Sequence, residues 1–476
     1  MSVESSLSAT KKLQRTLGTF DLVLLYVAAI IGPRWLSTAA QYGPASVTLW
    51  IIALLVFFIP SALTVQELSS RIPHEGGLHL WTKEAFGEVH GFLAGWAYWL
   101  SNLTFFPSLL LFVSGIVLHI GPRSWQGLAE NPLYNGLFCL ALLWAVTLVN
   151  VLGLKNAKWV QNVGGLGQFV VTAQVLLGGA LAWWQFGSAT PMSAASLVPD
   201  WSSSSTLGMF AILILAFVGF ELGPLLGDEI RNSAQSIRRA IYCSSLVIAL
   251  TYVAGTLALL VALPPTQIGA ISGVPEAMQA IGERSGLAHF GMISAALLVI
   301  TGIGGLGAWL TGTGRLPFVL GLGHYLPERL GAVHPRYGSP HVALLWQAVA
   351  ISIVLLAAIS GSTIHEAYIL LIDMTVALNC AVWVYIFAAL PVLRRRAAGA
   401  NQGIALMPGG TFASYLIPGL GALSSAFATV VSMIPPKSSD NPALFLVKGI
   451  GGCVLVFAIG LALYRLGRQR MLKSRP

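Results

Sequence analysis

YVAAIIGPRWLSTAAQYGP, residues 26–44, is part of an apolar stretch long enough to cross a bilayer, yet Gly32 and Pro33 interrupt it midway and Arg34 follows at once. Proline removes a backbone donor and clashes with the preceding turn, while glycine permits unwinding. In hydrocarbon, freed backbone groups cost on the order of several kcal/mol each unless they face protein, water or a ligand. A second stretch, ILAFVGFELGPLLGDE at 214–229, repeats the pattern with Gly219, Gly223, Pro224 and a buried-type acid, Glu221.

The surrounding chain explains why these stretches are membrane spans. Of 476 residues, 56% are hydrophobic and only 9% charged, against roughly 25% charged in average soluble domains. Apolar runs near 22–42, 45–68, 91–119, 136–153, 160–185, 207–227, 240–263, 287–313, 342–360, 367–391, 412–434 and 444–465 each approach the ~20 residues needed to cross ~30 Å of hydrocarbon. The expected fold class is therefore an all-α membrane protein of twelve transmembrane helices, with helices 1 and 6 discontinuous.

The net charge of +9 does not indicate a nucleic-acid partner, because the Lys and Arg residues segregate. With the N-terminus placed in the cytoplasm and sides alternated, only Arg123, Arg284 and Lys437 fall outside, and Arg34 and Lys448 lie in or at the edge of spans. The rest, including Lys11 and Lys12, fall inside. This positive-inside bias places both termini in the cytoplasm of a cell membrane, inner or plasma. The polar, basic start, MSVESSLSATKKLQRTLGT, followed by a long span without a small-residue cleavage site, does not read as a removable signal peptide.

Cys139, Cys243, Cys380 and Cys453 all sit in apolar runs without metal-ligand spacing. His74, His79, His324 and His334 likewise lack ligand spacing, so neither a metal nor a cofactor is expected. The polar stretches 69–90, 264–286 and 314–340 are loop-sized, too short for an ATPase module. No nucleophile and base pairing points to an enzyme, and the scattered mid-span polar residues do not form the continuous stripe of an ion channel.

The two breaks lie five spans apart, and an odd number of spans reverses helix direction. Segments 20–186 and 206–395 can therefore be inverted repeats, a pattern of secondary transporters with a midplane site. The expected organisation is an N-tail at 1–19, a transport core at 20–395, two added helices at 396–466 and a C-tail at 467–476.

GPASVTLWIIALLVFFIPSALTVQELSSRIPHEGGLHLWTKEAFGEVHGFLAGW (43–96), AFVGFELGPLLGDEIRNSAQSIRRAI (216–241) and GTGRLPFVLGLGHYLPERLGAVHPRYGSP (312–340) resemble, in order, motifs of the amino acid, polyamine and organocation permeases. WLSNLTFFPSLLLF (99–112) and IPSALTVQEL (59–68) are most similar to the polyamine-uptake and glutamate/GABA-exchanger branches. The resemblance implies a five-plus-five inverted repeat, LeuT-like fold with alternating access. It also implies that a substrate carboxylate meets backbone N–H groups at the first break and its amine meets carbonyls at the second. The chain departs from the family where Ile31-Gly32-Pro33-Arg34 replaces a small-residue motif, and where Gln168 occupies the place of a proton-linked lysine.

The candidate substrate-binding residues are Ile31, Gly32, Pro33, Arg34, Asn102, Phe217, Gly219, Phe220 and Glu221. Arg34 lies about twelve residues into its span, roughly 18 Å along a helix, too deep to snorkel easily. Its guanidinium needs a carboxylate, either a substrate's or that of Glu221. Glu221 can carry a coupling proton or face a substrate ammonium, and Asp373, within YILLIDMTVALNC (368–380), is a second proton-coupling candidate. Phe217 matches the aromatic that covers substrate in the family, and packing explains it nearly as well. Asn102 and Thr104 can line the same cavity or bond between helices. Asp21, Glu67, Asp228, Glu229 and Arg315 fall at cytoplasmic helix ends, as solvated ends or an inner gate. The expected partners are a small amino acid or amine, membrane lipid and a coupling proton. The function expected is a secondary active permease working by symport or exchange, and the alternative is a transporter-like sensor that binds without net flux. Substrate, coupling ion, direction and oligomeric state stay open.

Overall fold

The computed structural model describes residues 15–322, 325–360, 364–396, 404, 406–434 and 442–473; Lys11, Lys12, His324 and Lys437 lie outside them. Among the described residues the protein is all helix, and the sole β-type pairing is a bridge between Leu17 and Ile230.

The helices are α1 (Thr19–Ile30), α2 (Pro33–Tyr42), α3 (Ala45–Arg71), α4 (Leu78–Phe86), α5 (Glu88–Val117), α6 (Pro132–Val151) and α7 (Leu154–Phe186). There follow α8 (Ser204–Ala216), α9 (Leu222–Leu225), α10 (Ser233–Ala262), α11 (Gly273–Ser285), α12 (Phe290–Thr313) and α13 (Arg315–Leu322). The last four are α14 (His341–Ser360), α15 (Ile364–Arg396), α16 (Gly410–Val431) and α17 (Pro442–Lys473). Eleven helical segments among the described residues are long and apolar enough to cross a membrane, α1 and α2 counting as one. The sixth expected span, 207–227, is not among these eleven: it is interrupted, a 13-residue helix, α8, then a break, then the single turn α9.

The first break falls where proline chemistry requires it. Ile31 and Gly32 are extended, with ψ of 101° and 107°, and Pro33 opens α2 at the one position where its missing N–H costs nothing. The second break spans 217–221, ahead of Pro224 rather than at it. There Gly219 takes φ +146°, which L side chains rarely adopt.

Small residues draw the other helices tightly around α1. Gly164 of α7 abuts the backbone of Gly304 in α12, and a Cβ on Gly165 would lie 2.6 Å from the Leu24 carbonyl of α1. Gly305 of α12 also lies close to α1, where a Cβ would meet the Ala28 carbonyl at 2.9 Å. Close backbone approach of this kind is how apolar helices pack without a hydrophobic drive between them. It sets α1 against α7, α10 and α12, with its break at the centre of the bundle.

The three polar stretches expected as loops each contain a short helix. In α4, Leu78, Trp81 and Ala85 are buried, and in α11 Val274, Ala277, Met278 and Ile281 are buried. That spacing gives one apolar stripe per helix, which short polar-rich segments can bury against the spans. The third, α13, continues from the end of α12.

Candidate functional site

Losing the helix at residues 31–33 orphans three main-chain groups, and the structure answers each with a side chain from a distant helix. Pro33 cannot donate to the Ala29 carbonyl, and the Trp309 indole N–H of α12 donates there instead, at 2.9 Å. The Ile30 carbonyl accepts from the Tyr252 hydroxyl of α10 at 2.5 Å. The same hydroxyl accepts from the Gly32 amide at 3.1 Å and lies 3.1 Å from the Ala216 carbonyl, the last residue of α8. One phenol therefore joins the two breaks. Its single proton serves Ile30 or Ala216 in turn.

The second break is braced from within. The Gly219 amide donates to the Glu221 carboxylate at 3.0 Å, and the Tyr98 hydroxyl of α5 donates to the other carboxylate oxygen. Glu221 is completely buried. Gly219 is also pressed against the first break, since a Cβ there would lie 2.6 Å from Ile30 Cγ1.

Arg34 is 2% exposed, in the first turn of α2. Its Nη1 donates to Ser108 Oγ of α5 at 3.1 Å, and its guanidinium lies 4.3 Å from the Trp35 ring centre and 4.9 Å from that of Phe105. Tyr252 and Tyr368 of α15 are its remaining polar neighbours. Among the described residues no carboxylate lies within ion-pairing distance of it. Arg34 and Glu221 are thus not paired: one rests on a hydroxyl and aromatic faces, the other on a phenol and an amide.

Phe217, fully buried, packs against Phe58 (4.6 Å between ring centres), Trp50 (5.1 Å) and Tyr252 (5.3 Å). A π-helical turn at Leu54–Phe58 precedes the Phe58 contact. Phe220 meets Phe58 at 5.1 Å and Tyr26 at 5.3 Å. The two phenylalanines therefore close the second break against α3 and α1.

Asn102 of α5 donates to the Tyr98 carbonyl one turn earlier, at 2.8 Å, and leaves its own buried carbonyl oxygen without a partner. Thr104 bonds Thr375 of α15 at 2.8 Å, a helix-to-helix contact. Asp373, on the same helix, is partly exposed. Among the described residues no hydrogen bond or ion pair links it to Arg34 or Glu221. The structure thus brings together Ile31, Gly32, Pro33, Arg34, Phe217, Gly219, Phe220 and Glu221, places Asn102 beside them through Tyr98, and leaves Asp373 apart.

The residues that sequence reasoning missed are Tyr252, Trp309, Tyr98, Ser108 and Phe105. Only Tyr98 carried a signal, lying one helical turn from Asn102. The helix-end charges are paired rather than solvated. Glu67 binds Arg71 and Arg394, Asp21 binds Lys158 and Asn162, and Arg315 binds Glu229. Asp228 faces His74 at 3.7 Å.

Comparison with known proteins bears on the fold and the family. The family model described as amino acid permease matches residues 17–459. A Legionella pneumophila protein named as an uncharacterized transporter is 29% identical over 93% of this chain and 95% of its own length. A glutamate/gamma-aminobutyrate antiporter of Lactococcus lactis is 23% identical, over 89% and 85% respectively. The crystal structure of MhsT in complex with L-phenylalanine superposes with a TM-score of 0.63, covering 89% of this chain and 99% of that one, at 12% identity.

Proposed function

The chain belongs to the amino acid permease family, and from that premise we propose that it is a secondary active transporter moving an amino acid or organic amine across a cell membrane by alternating access. Coupling is to a proton or to a counter-substrate. The carrying observation is Arg34, a buried guanidinium at the first helix break with only neutral neighbours among the described residues. An uncompensated buried charge costs on the order of several kcal/mol. A substrate carboxylate removes that cost, and the Arg34 amide, in the first turn of α2, adds a donor and a favourable dipole end.

Glu221 sits on the opposite break and offers the complementary charge to an ammonium group, or a site for a coupling proton. In the same reading Asp373 remains a separate proton candidate. Segments 20–186 and 206–395 form the inverted repeats, 396–466 adds two peripheral helices, and both termini face the cytoplasm. The named activity of the Lactococcus relative, glutamate/gamma-aminobutyrate antiport, supports a substrate that carries a carboxylate.

Reconstitution into liposomes with labelled amino acids and amines, under imposed pH and counter-substrate gradients, tests the reading. A transporter accumulates label against its gradient. Binding without accumulation under every gradient overturns it in favour of a sensor.

A further inference from the structure

At the end of the bundle where α1 begins, four segments meet. The amides of Thr16 and Leu17 donate to the Glu229 carbonyl at 3.0 and 3.1 Å, and the Arg231 amide returns a bond to Leu17 at 2.9 Å. The turn between α3 and α4 wedges in beside them. A Cβ on Gly227 would lie 2.8 Å from the His74 carbonyl carbon, and one on Gly77 would lie 3.0 Å from Pro224 Cβ. This end is shut by main-chain contact.

Inside the seam lies an imbalance of charge. Arg315 and Glu229, each 2% exposed, pair at 2.8 Å, and Arg315 also donates to the Thr311 carbonyl at 2.7 Å. Glu75, on the wedged turn and 7% exposed, lies within electrostatic reach of the same pair, yet among the described residues its Oε1 has no hydrogen-bond partner. Asp228 adds a further carboxylate nearby, half-exposed and 3.7 Å from the exposed imidazole of His74. Among the described residues one guanidinium thus stands against three carboxyls, and Glu229 already holds it. Within that set an ionised Glu75 has nothing left to pair with, whereas a neutral one satisfies the cluster. Burial, with Glu229 and then Asp228 adding to it against the opposing pull of Arg315, holds the Glu75 carboxyl well above the usual carboxylate range.

We propose that Glu75 is a proton-binding site of the closed seam, taking up a proton from water as this end shuts and returning it as the end opens. The wedge makes the two events inseparable, because separating residues 73–77 from the end of α9 hydrates Glu75. The sign follows from linkage. A carboxyl held high only in the closed form favours closure fully at pH below its ordinary range. That advantage falls as pH rises, and it levels off above the closed-state value. The inference rests on the transport reading only in requiring that this end open.

Hydrogen exchange of the Thr16, Leu17 and Arg231 amides, on the full chain in lipid nanodiscs without substrate and corrected for intrinsic rates, reads that opening directly. In the unmodified protein, protection rises as pH falls from mildly alkaline to mildly acid, by at most about tenfold per pH unit for one proton. Glu75→Gln stays protected and loses the pH dependence. Asp228→Asn, which removes a neighbouring negative charge from a half-exposed position, moves the dependence to lower pH and decides the matter if Glu75→Gln does not fold. His74→Gln leaves the dependence in place. A flat profile in the unmodified protein, an unchanged slope in Glu75→Gln, an unmoved one in Asp228→Asn, or loss of the slope in His74→Gln overturns the proposal. Failure of the uptake experiment alone leaves these exchange results as they stand, so the two readings fail separately.

Discussion

The Tyr252 hydroxyl donates to the Ile30 carbonyl at 2.5 Å, across 222 positions of sequence, at the point where the first span stops being helical. The same oxygen receives the Gly32 amide and lies within bonding distance of the Ala216 carbonyl. The breaks in the two spans therefore share one partner. Any movement of either half-helix must stretch or exchange that bond.

Tyr252→Phe keeps the ring stacked on Trp50, where the centres are 4.3 Å apart, and removes only the oxygen. Each main-chain group left unsatisfied costs roughly 1–3 kcal/mol when buried. The expected outcome is a protein that still inserts, with a lower unfolding temperature in a thermal melt and uptake reduced about tenfold for each ~1.4 kcal/mol that falls on the transport step.

Gly219→Ala tests the contact between the breaks. The new methyl meets Ile30 Cγ1 at 2.6 Å, on a backbone whose φ of +146° a Cβ already disfavours. Uptake should be lost and the melt lowered by more than in Gly223→Ala with Tyr26→Phe, where the nearest obstructing atom, the phenol oxygen at 2.1 Å, is trimmed and the ring carbon at 2.9 Å remains on a side chain that can shift. Equal behaviour of the two would argue against a special role for the Gly219 conformation.

His79 gives a pH signature of stability. Its buried ring is held to the Gly91 carbonyl by Nδ1 at 2.9 Å, and burial pushes its pKa down to about 4 from 6.5. The folded protein therefore binds fewer protons than the unfolded chain between these values. Its contribution is complete above 6.5 and is lost as pH falls toward 4, by about 3 kcal/mol in all. Acid denaturation monitored by tryptophan fluorescence should be shallower in His79→Gln over this window and unchanged above it.

Much of this was legible in the sequence, for reasons of backbone chemistry. Proline at 33 has no N–H to give, so a break there was readable from one residue type. Arg34 could be placed deep in the membrane by counting. Its partner could not. Of the two carboxylates weighed, a substrate's and that of Glu221, the second turns instead to Tyr98, because the Gly219 amide and a phenol on α5 satisfy it locally. Tyr252 and Trp309 sit in apolar runs where an aromatic residue is ordinary, and only the close approach of α10 and α12 to α1 gives their polar atoms a task. Of the three residues named at the second break, Gly219 is where the chain unwinds and the positive φ is found, and Pro224 lies in the turn that follows. The charges at helix ends looked solvated in sequence and are mostly paired, since partners such as Arg394 for Glu67 arrive from more than three hundred residues away.

The central claim is that Arg34 waits for an anion that the substrate supplies. Uptake into liposomes of amino acids, each compared with its own decarboxylated amine, tests it in the unmodified protein and in Arg34→Gln. The unmodified protein should prefer the member of the pair that keeps its carboxylate, and Arg34→Gln should lose this preference by about a hundredfold, the ~3 kcal/mol scale of a charge-assisted hydrogen bond, while melting no lower than before without substrate, since it also sheds the uncompensated charge. Undiminished uptake of the carboxylate-bearing substrate by Arg34→Gln, or a preference of the unmodified protein for the amine, would contradict it.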